Sequence, residues 1–168
     1  DHARARAYVQ ARLVALGLSP SVQHANACRK DVCADIANVI ARIEGTEPGP
    51  ALMLVAHYDS TPHGPGAADD GAGVATIFEV VRALKSGPPP RRSIVVLIDD
   101  GEEKGLLGAR AFVAEHPFAR DVSVVLNFEA RGTAGQTSMF ETSAKSADLV
   151  EIYGRSVERP VASSVIYA

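Results

Sequence analysis

The sequence lacks several features that would assign it at once to a class of function. It has no basic stripe, since 17 lysine and arginine residues stand against 20 aspartate and glutamate residues for a net charge of -3. We therefore do not expect nucleic acid as a partner. It has no apolar run long enough to span a bilayer. It also has no initiating methionine and no signal peptide, so we interpret it as an excised part of a longer protein.

Cysteine is also scarce, with Cys28 and Cys33 as a single pair separated by four residues. A zinc knuckle would need a second pair. Two alternatives remain: a small disulfide loop, which would imply an oxidising compartment, or two unrelated thiols. We favour the disulfide.

The segments that are present alternate between strand-like and helix-like patterns. The chain has 168 residues, 46% of them hydrophobic, which is enough for one domain with a sizeable core. The hydrophobic patterns predict strands over residues 20–27, 35–44, 52–57, 93–99, 122–129 and 136–141, and helices over residues 1–17, 71–86, 106–114 and 147–158. This alternation predicts an α/β fold with a mixed, mainly parallel central sheet flanked by helices.

Two finer expectations concern the first third of the chain. The turn-forming sequence at 45–50 predicts a hairpin between the strand of residues 35–44 and the strand that ends at His57. In the first helix we expect a solvated arginine face and an opposite apolar face. The residues expected on that apolar face are Ala3, Ala7, Tyr8, Ala11, Val14 and Ala15.

Acidic and imidazole side chains stand at the predicted carboxyl ends of three central strands. His57 ends one strand, Glu102 and Glu103 follow the next, and Glu129 ends the third. In a largely parallel sheet these ends lie side by side, where open α/β sheets build their sites. Imidazole and carboxylate groups with no cysteine nearby are a ligand set for a zinc-like ion.

Each of these motifs is weak evidence when taken alone, because adjacent glutamates usually lie on a solvated surface. A working pair of metal ions needs one bridging carboxylate and, for each ion, a further carboxylate and usually an imidazole. It also needs an unbound carboxylate that accepts a proton from water. The chain supplies these parts in order, with Asp69 and Asp70 in the loop after the first strand end, so we predict a metal site.

Four motifs carry a family resemblance: HYDS at 57–60, GAADDGAG at 66–73, DDGEEKGLLGARAF at 99–112 and NFEARG at 127–132. Together they resemble the di-zinc aminopeptidase family. That family contains secreted bacterial aminopeptidases, glutamate carboxypeptidases and membrane-anchored metallopeptidases of the endoplasmic reticulum and vacuole. The NFEARG form is most similar to the membrane-anchored branch and its bacterial relatives. The resemblance covers about residues 35–145 and implies a mixed, mainly parallel sheet between helices.

The resemblance implies which residues bind metal. His57 and Glu129 match ligands of one zinc ion, and Glu103 matches a ligand of a second. Asp69 matches the carboxylate that bridges the two ions, and the peptide bond from Asp69 to Asp70 is often cis in the family. The implied cofactor is therefore zinc, with two ions in the complete site.

The resemblance also implies two roles beside the metal. Glu102 matches the general base, which does not bind zinc itself. Asp59 matches the carboxylate that orients His57, as metal-bound imidazoles require.

One family ligand has no counterpart. The last histidine of the family, on the second zinc, should lie well beyond Glu129, yet no histidine follows His116. The chain also stops in a strand-like run at 164–168, so truncation explains the absence better than loss of the ligand. We therefore expect residues 1–168 to form a single zinc-peptidase catalytic domain that is incomplete at its C-terminal end.

The remaining histidines and one arginine have weaker assignments. His63 lies in the loop, but the family pattern has no metal role for it. Arg131 either meets a substrate carboxylate or pairs with an acid near the site. His2, His24 and His116 are expected to be structural or solvent-facing.

The resemblance implies a zinc-dependent exopeptidase, and we expect an aminopeptidase in which Glu102 takes a proton from a metal-activated water and passes it to the leaving amine. The alternatives are a carboxypeptidase or glutaminyl cyclase on the same site, or a non-catalytic relative that acts as a binding module. The expected partner is a peptide substrate, with a homo-oligomer left open. We expect an extracytoplasmic location, periplasmic or membrane-anchored on a lumen-like side, and no activity from these 168 residues alone.

Overall fold

The fold is taken from a computed structural model that describes residues 2–130, 132, 134–136 and 138–162. Its elements, in chain order, are α1 (His2–Ala15), β1 (Ser21–Arg29), β2 (Val32–Ile43), β3 (Ala51–His57), α2 (Gly71–Ser86), β4 (Ile94–Asp99), α3 (Leu107–Glu115), β5 (Val122–Asn127) and α4 (Ala147–Ser156). A short 3-10 helix, Pro117–Arg120, lies between α3 and β5. All four predicted helices and the first five predicted strands are confirmed, with boundaries shifted by a few residues.

The strands β1 to β5 form one mixed sheet in the order β1-β2-β4-β3-β5. β3 pairs in parallel with both β4 and β5, whereas β2 pairs antiparallel with β1 and with β4. β3 and β4 are buried on both faces, which explains why their sequences are nearly continuous apolar runs. The predicted fold class is confirmed, and β3, β4 and β5 deliver their carboxyl ends to the same edge.

The expected hairpin between β2 and β3 is wrong, because β4 lies between these two strands. The connection that follows β2 does not reverse the chain tightly. Instead, the N–H groups of Thr46 and Glu47 donate to the carbonyl groups of Pro90 and Arg91, just before β4. The connection therefore crosses the start of β4 and delivers β3 on its far side.

β2 instead forms a hairpin with β1, around a turn at Lys30 and Asp31. The register of the two strands places Cys28 directly opposite Cys33. The two residues form a disulfide, so the favoured alternative for the cysteine pair is confirmed.

Two apolar clusters lie on the two faces of the sheet. On one face, α1 and α2 contribute Leu13 and Ile77, which are fully buried. On the other face, α3 contributes Phe112. Because side chains alternate along a strand, Leu54 of β3 belongs to the first cluster and Val55 to the second.

The apolar face expected for α1 is wrong. Val9 and Leu13 are the buried residues of this helix, whereas Tyr8 and Val14 are 60% and 58% exposed. The many alanines of α1 define no clear stripe. Its docking is decided by the two larger aliphatic residues that stand four positions apart.

The chain divides into two compact units, Asp1–Ala130 and Arg131–Ala168. The sheet belongs to the first unit, and α4 belongs to the second. In the second unit Met139 forms a β-bridge with Ala162. The expected strand over 136–141 is represented, in the described residues, by that bridge alone.

The strand-like run at 164–168 lies outside the described residues. The single domain expected over residues 1–168 stays a prediction. No helix in the described ranges is both long enough and apolar enough to cross a membrane.

Candidate metal centre

His57 is the last residue of β3 and is 2% exposed. Its Nδ1 atom lies 3.1 Å from the carbonyl oxygen of Asp59 and 3.4 Å from the carboxylate of the same residue. Both groups are acceptors, so Nδ1 carries a proton. The other ring nitrogen, Nε2, lies 3.1 Å from Oδ1 of Asp69 and 3.8 Å from Oε1 of Glu129. His57 therefore directs Nε2, the ring nitrogen that would bind a metal, toward two carboxylates.

The loop after β3 is fastened by Asp70, which is buried and caps α2. Its carboxylate accepts hydrogen bonds from the N–H groups of Gly73 at 3.0 Å and His57 at 3.2 Å. The peptide bond between Asp69 and Asp70 is cis. Burial raises the pKa of Asp70 to about 6. Because Asp70 is bonded to both β3 and α2, Asp69 beside it is held against His57.

The segment between β4 and α3 carries Glu102 and Glu103. Their backbone N–H groups donate to the two carboxylate oxygens of Asp59, at 3.1 and 3.2 Å. Burial alone would raise the pKa of Asp59, but the hydrogen bonds from His57 and from these N–H groups outweigh it and hold the pKa below its usual range. One ionised carboxylate thus contacts both the histidine and the acidic loop.

The ligand atoms of His57, Asp69 and Glu129 all lie within 4.8 Å of one another. One imidazole and two carboxylates are ligands that zinc accepts, so these residues fit the metal that the resemblance implies. Glu103, expected on a second ion, is not part of this group. The charge of Asp69 nevertheless acts on Glu103: burial raises the pKa of Glu103, and the Asp69 charge raises it further.

The centre carries more negative charge than the protein itself neutralises. Burial alone would lower the pKa of His57, but its hydrogen bond with Asp59 and the charges of Asp59, Asp70 and Glu102 outweigh it and raise the pKa to about 10. Burial raises the pKa of Glu102; the charge of His57 opposes this shift, and the charges of the neighbouring carboxylates add to it. A bound cation would relieve this repulsion.

Asn38 and Asp100 support the centre, and the sequence patterns did not single them out. Asn38 is fully buried; its Oδ1 accepts from the N–H of Asp100 at 3.1 Å and its Nδ2 donates to the carbonyl of Gly108 at 2.9 Å. The Asp100 carboxylate accepts from the hydroxyl of Tyr58 at 3.0 Å and the N–H of Ala37 at 2.8 Å. These bonds tie β2 to the acidic loop. Asn38 could have been noticed in the sequence, because it is an asparagine inside an otherwise apolar strand.

Asp99, the last residue of β4, is another buried acid of this region, at 2% exposure. It is paired in register with His57 on β3, so the two side chains point to the same face of the sheet. Burial raises the pKa of Asp99 to about 8.

His2 has a structural role, as expected for the histidines outside the motifs. Its Nε2 atom lies 2.8 Å from the carboxylate of Asp100, and its ring stacks on Tyr58 with centroids 4.8 Å apart. The start of α1 is thereby attached to residues that adjoin the centre.

The other histidines are not members of the three-residue metal group. His24 and His63 are exposed to solvent, and the ring of His116 stacks on Phe112 at 5.1 Å. Arg131, expected at the substrate or beside an acid, lies outside the described residues.

Comparison with known sequences identifies similar proteins. A family model described as Peptidase family M28 matches residues 38–167. The chain is 36% identical over 129 residues to a vacuolar membrane protease of Candida dubliniensis, which covers 76% of this chain and 13% of that protein. It is 32% identical over 133 residues to endoplasmic reticulum metallopeptidase 1 of Mus musculus, covering 78% of this chain and 15% of that protein. The chain thus spans a small part of the length of these relatives.

Comparison with solved structures identifies the same architecture. Glutaminyl cyclase of Porphyromonas gingivalis matches with a TM-score of 0.75 and 20% identity, over 91% of this chain and 59% of that chain; this likeness concerns the fold alone. A zinc aminopeptidase from Bacillus subtilis matches with a TM-score of 0.51 and 31% identity, over 56% of this chain and 24% of that chain.

Proposed function

Because the chain belongs to peptidase family M28, we propose that the protein is a zinc-dependent exopeptidase that acts as an aminopeptidase. The observation that carries this proposal is the convergence of His57, Asp69 and Glu129 within 4.8 Å, with Glu102 beside them. The names of similar proteins support it, since they include membrane proteases and a zinc aminopeptidase.

His57, Asp69 and Glu129 would hold one zinc ion, because their ligand atoms face one another. Asp69 would be shared with a second ion, for which Glu103 offers a further carboxylate. Bound zinc supplies a water molecule of lowered pKa and polarises the carbonyl group of the scissile bond. Asp59 would keep the proton of His57 on Nδ1, so that Nε2 stays available as a ligand.

Glu102 would act as the general base. Its Oε2 atom lies 4.0 Å from Nε2 of His57, yet the residue stands outside the three-residue group. We propose that its carboxylate stays off the metal, accepts a proton and returns it to the leaving amine. In the metal-free protein, burial raises the pKa of Glu102.

Three alternatives would use the same residues: a carboxypeptidase, a glutaminyl cyclase and a non-catalytic binding module. The binding module is the weakest, because every implied position up to Glu129 holds a residue that can perform its role. A carboxypeptidase or a cyclase would use the same general base on a different substrate. An assay of which substrates react therefore separates them from an aminopeptidase.

The test is a panel of chromogenic aminoacyl substrates offered to the full-length protein, with and without a chelator. We expect substrates with a free amino group to be hydrolysed, the same substrates with a blocked amino group to be spared, and zinc to restore activity after chelation. Hydrolysis that requires a free carboxyl terminus, or cyclisation of amino-terminal glutamine, would replace the aminopeptidase proposal.

The role of Glu102 can be tested by Glu102→Gln in the full-length protein. We expect this variant to keep its zinc and to lose about 10²- to 10⁴-fold in turnover, because the amide cannot accept the proton. Glu103→Gln is the matched control, and we expect it to lose the second zinc ion. Loss of zinc from Glu102→Gln, measured by elemental analysis, would mean that the two roles are exchanged.

We also propose an extracytoplasmic location, on a membrane-anchored or luminal side. The disulfide between Cys28 and Cys33 suits an oxidising compartment, and the relatives are named as proteins of the vacuolar membrane and the endoplasmic reticulum. A homo-oligomer is a further proposal, supported by the outer edge of β5, which has no strand partner in the described sheet. Sedimentation of the 168-residue chain measures it.

A further inference from the structure

A cavity of about 280 Å³ lies beside the candidate metal centre, between α3 and one face of the sheet. Its walls are largely apolar and include Met53, Val55 and Phe112. His57 and Glu102 also line it, so the cavity adjoins the centre. Its volume is just below the range of about 300–1,000 Å³ that is usual for small-molecule sites, which suits one amino-acid side chain.

Asp99 lines the same cavity and has no part in the proposed mechanism. It follows Val95 and Leu97 on the face of β4 that α3 covers, because alternate residues of a strand share a face. In the metal-free protein the charge of His57 acts on Asp99, but His57 would be neutral as a zinc ligand. None of the ion pairs among the described residues joins Asp99 to a lysine or an arginine. An acid in an apolar wall is costly to ionise unless a positive group is brought to it.

We propose that this cavity binds the side chain of the substrate's amino-terminal residue, and that Asp99 makes it selective for lysine or arginine. The methylene groups of these side chains would pack on the apolar walls while the cationic end reaches the carboxylate. This inference rests on the proposed aminopeptidase function, because the cavity shares His57 and Glu102 with the centre where the first peptide bond would be cleaved.

Selectivity would come from the charge of the substrate side chain and not from the fit of its methylene groups. An aliphatic side chain of similar length would fill the same walls and leave the carboxyl group of Asp99 without a cationic partner. Sites that bind a polar group reject an analogue that lacks it, because the buried partner is then unpaired.

The test compares lysine with norleucine as the amino-terminal residue, since the two side chains differ only in the terminal ammonium group. With the zinc-loaded full-length protein and aminoacyl 4-nitroanilides, we expect kcat/KM for lysine to exceed that for norleucine by about 10- to 100-fold, the range of a hydrogen bond to a charged group. Asp99→Asn keeps the size of the side chain and removes the charge, and we expect it to bring the ratio close to one.

Asp121→Asn is the matched control. Asp121 is an exposed carboxylate just before β5 that pairs with Arg42, so its replacement should keep the wild-type ratio. Thermal unfolding of both variants would verify that each is folded under the assay conditions.

Two outcomes would overturn the inference. Equal kcat/KM for the two substrates in the unchanged protein would do so without any variant. Equal losses for both substrates in Asp99→Asn would assign Asp99 to the α-ammonium group that the substrates share.

If neither substrate is hydrolysed, the aminopeptidase proposal fails, and binding of the two amino-acid amides still decides the role of the cavity. In calorimetry on the zinc-loaded protein, lysine amide that binds at least tenfold more tightly than norleucine amide, with the difference lost in Asp99→Asn, supports the inference. Equal binding overturns it.

Discussion

Replacement of Asp59 by asparagine tests whether one carboxylate organises both parts of the candidate metal centre. This carboxylate accepts from the N–H groups of Glu102 and Glu103 at 3.1 and 3.2 Å, and it lies 3.4 Å from Nδ1 of His57. Asparagine has the same shape but a single acceptor oxygen, and its amide nitrogen can only donate. At least one of these contacts must therefore be lost, together with the charge that favours the proton on Nδ1.

The size of the effect follows from these contacts. A hydrogen bond to a charged group contributes about 1.5–3 kcal/mol, so Asp59→Asn should lower the free energy of unfolding of the metal-free protein by a similar amount. Loss of the partner that orients a metal-binding histidine lowers metal affinity about 10- to 100-fold. We expect that loss for zinc, measured by competition with a chromophoric chelator, and the loss of stability in urea unfolding followed by circular dichroism.

Asp35→Asn is the control for this experiment. Asp35 is an exposed carboxylate that bonds to Asn26 on the β1–β2 hairpin, and its replacement should change the stability by less than about 0.5 kcal/mol. If folded Asp59→Asn binds zinc as tightly as the unchanged protein, the orienting role of Asp59 is refuted. A loss of stability without any loss of zinc affinity would restrict Asp59 to anchoring the acidic loop.

Three further predictions concern the 168-residue chain itself. Because the group of His57, Asp69 and Glu129 contains a single imidazole, we expect at most one zinc ion to bind tightly; two tightly held ions in elemental analysis would contradict this. Burial alone would lower the pKa of His57, but in the metal-free protein the neighbouring carboxylates raise that pKa to about 10. Zinc must then displace a proton below that pH, and its affinity should rise by up to about tenfold per pH unit; calorimetric heats independent of the buffer would argue against it. Loss of the Cys28–Cys33 disulfide should cost about 2 kcal/mol, because the loop that it closes is short, and two reactive thiols in the unfolded, unreduced protein would disprove the bridge.

The hydrophobic patterns predicted the strands and helices because periodicity is a local property of the chain. The order of the strands was not local. The turn-forming residues at 45–50 are typical of a hairpin, but the bonds of Thr46 and Glu47 to the segment before β4 carry the chain across that strand. The docking face of α1 was missed for a similar reason, since it depends on what Val9 and Leu13 meet and not on the helix alone.

The sequence by itself determined the chemistry of the centre. An imidazole at His57, carboxylates at Glu102 and Glu103, and a carboxylate at Glu129 all follow predicted strands, so they could be expected at one edge of a sheet with a zinc-like ion. The resemblance of four motifs added Asp69 and Asp59 with their implied roles. The expected cluster at the sheet edge needed only residue types and spacing, whereas the individual roles came from the resemblance.

Only the tertiary structure decided which of these groups meet. It brings His57, Asp69 and Glu129 within 4.8 Å of one another and leaves Glu103 outside that group. It also ties the acidic loop to β2 through Asn38, and it lines an apolar cavity with the buried carboxyl group of Asp99. These distances depend on how strands that are remote in sequence pair and on which face a helix covers, and no local pattern encodes either.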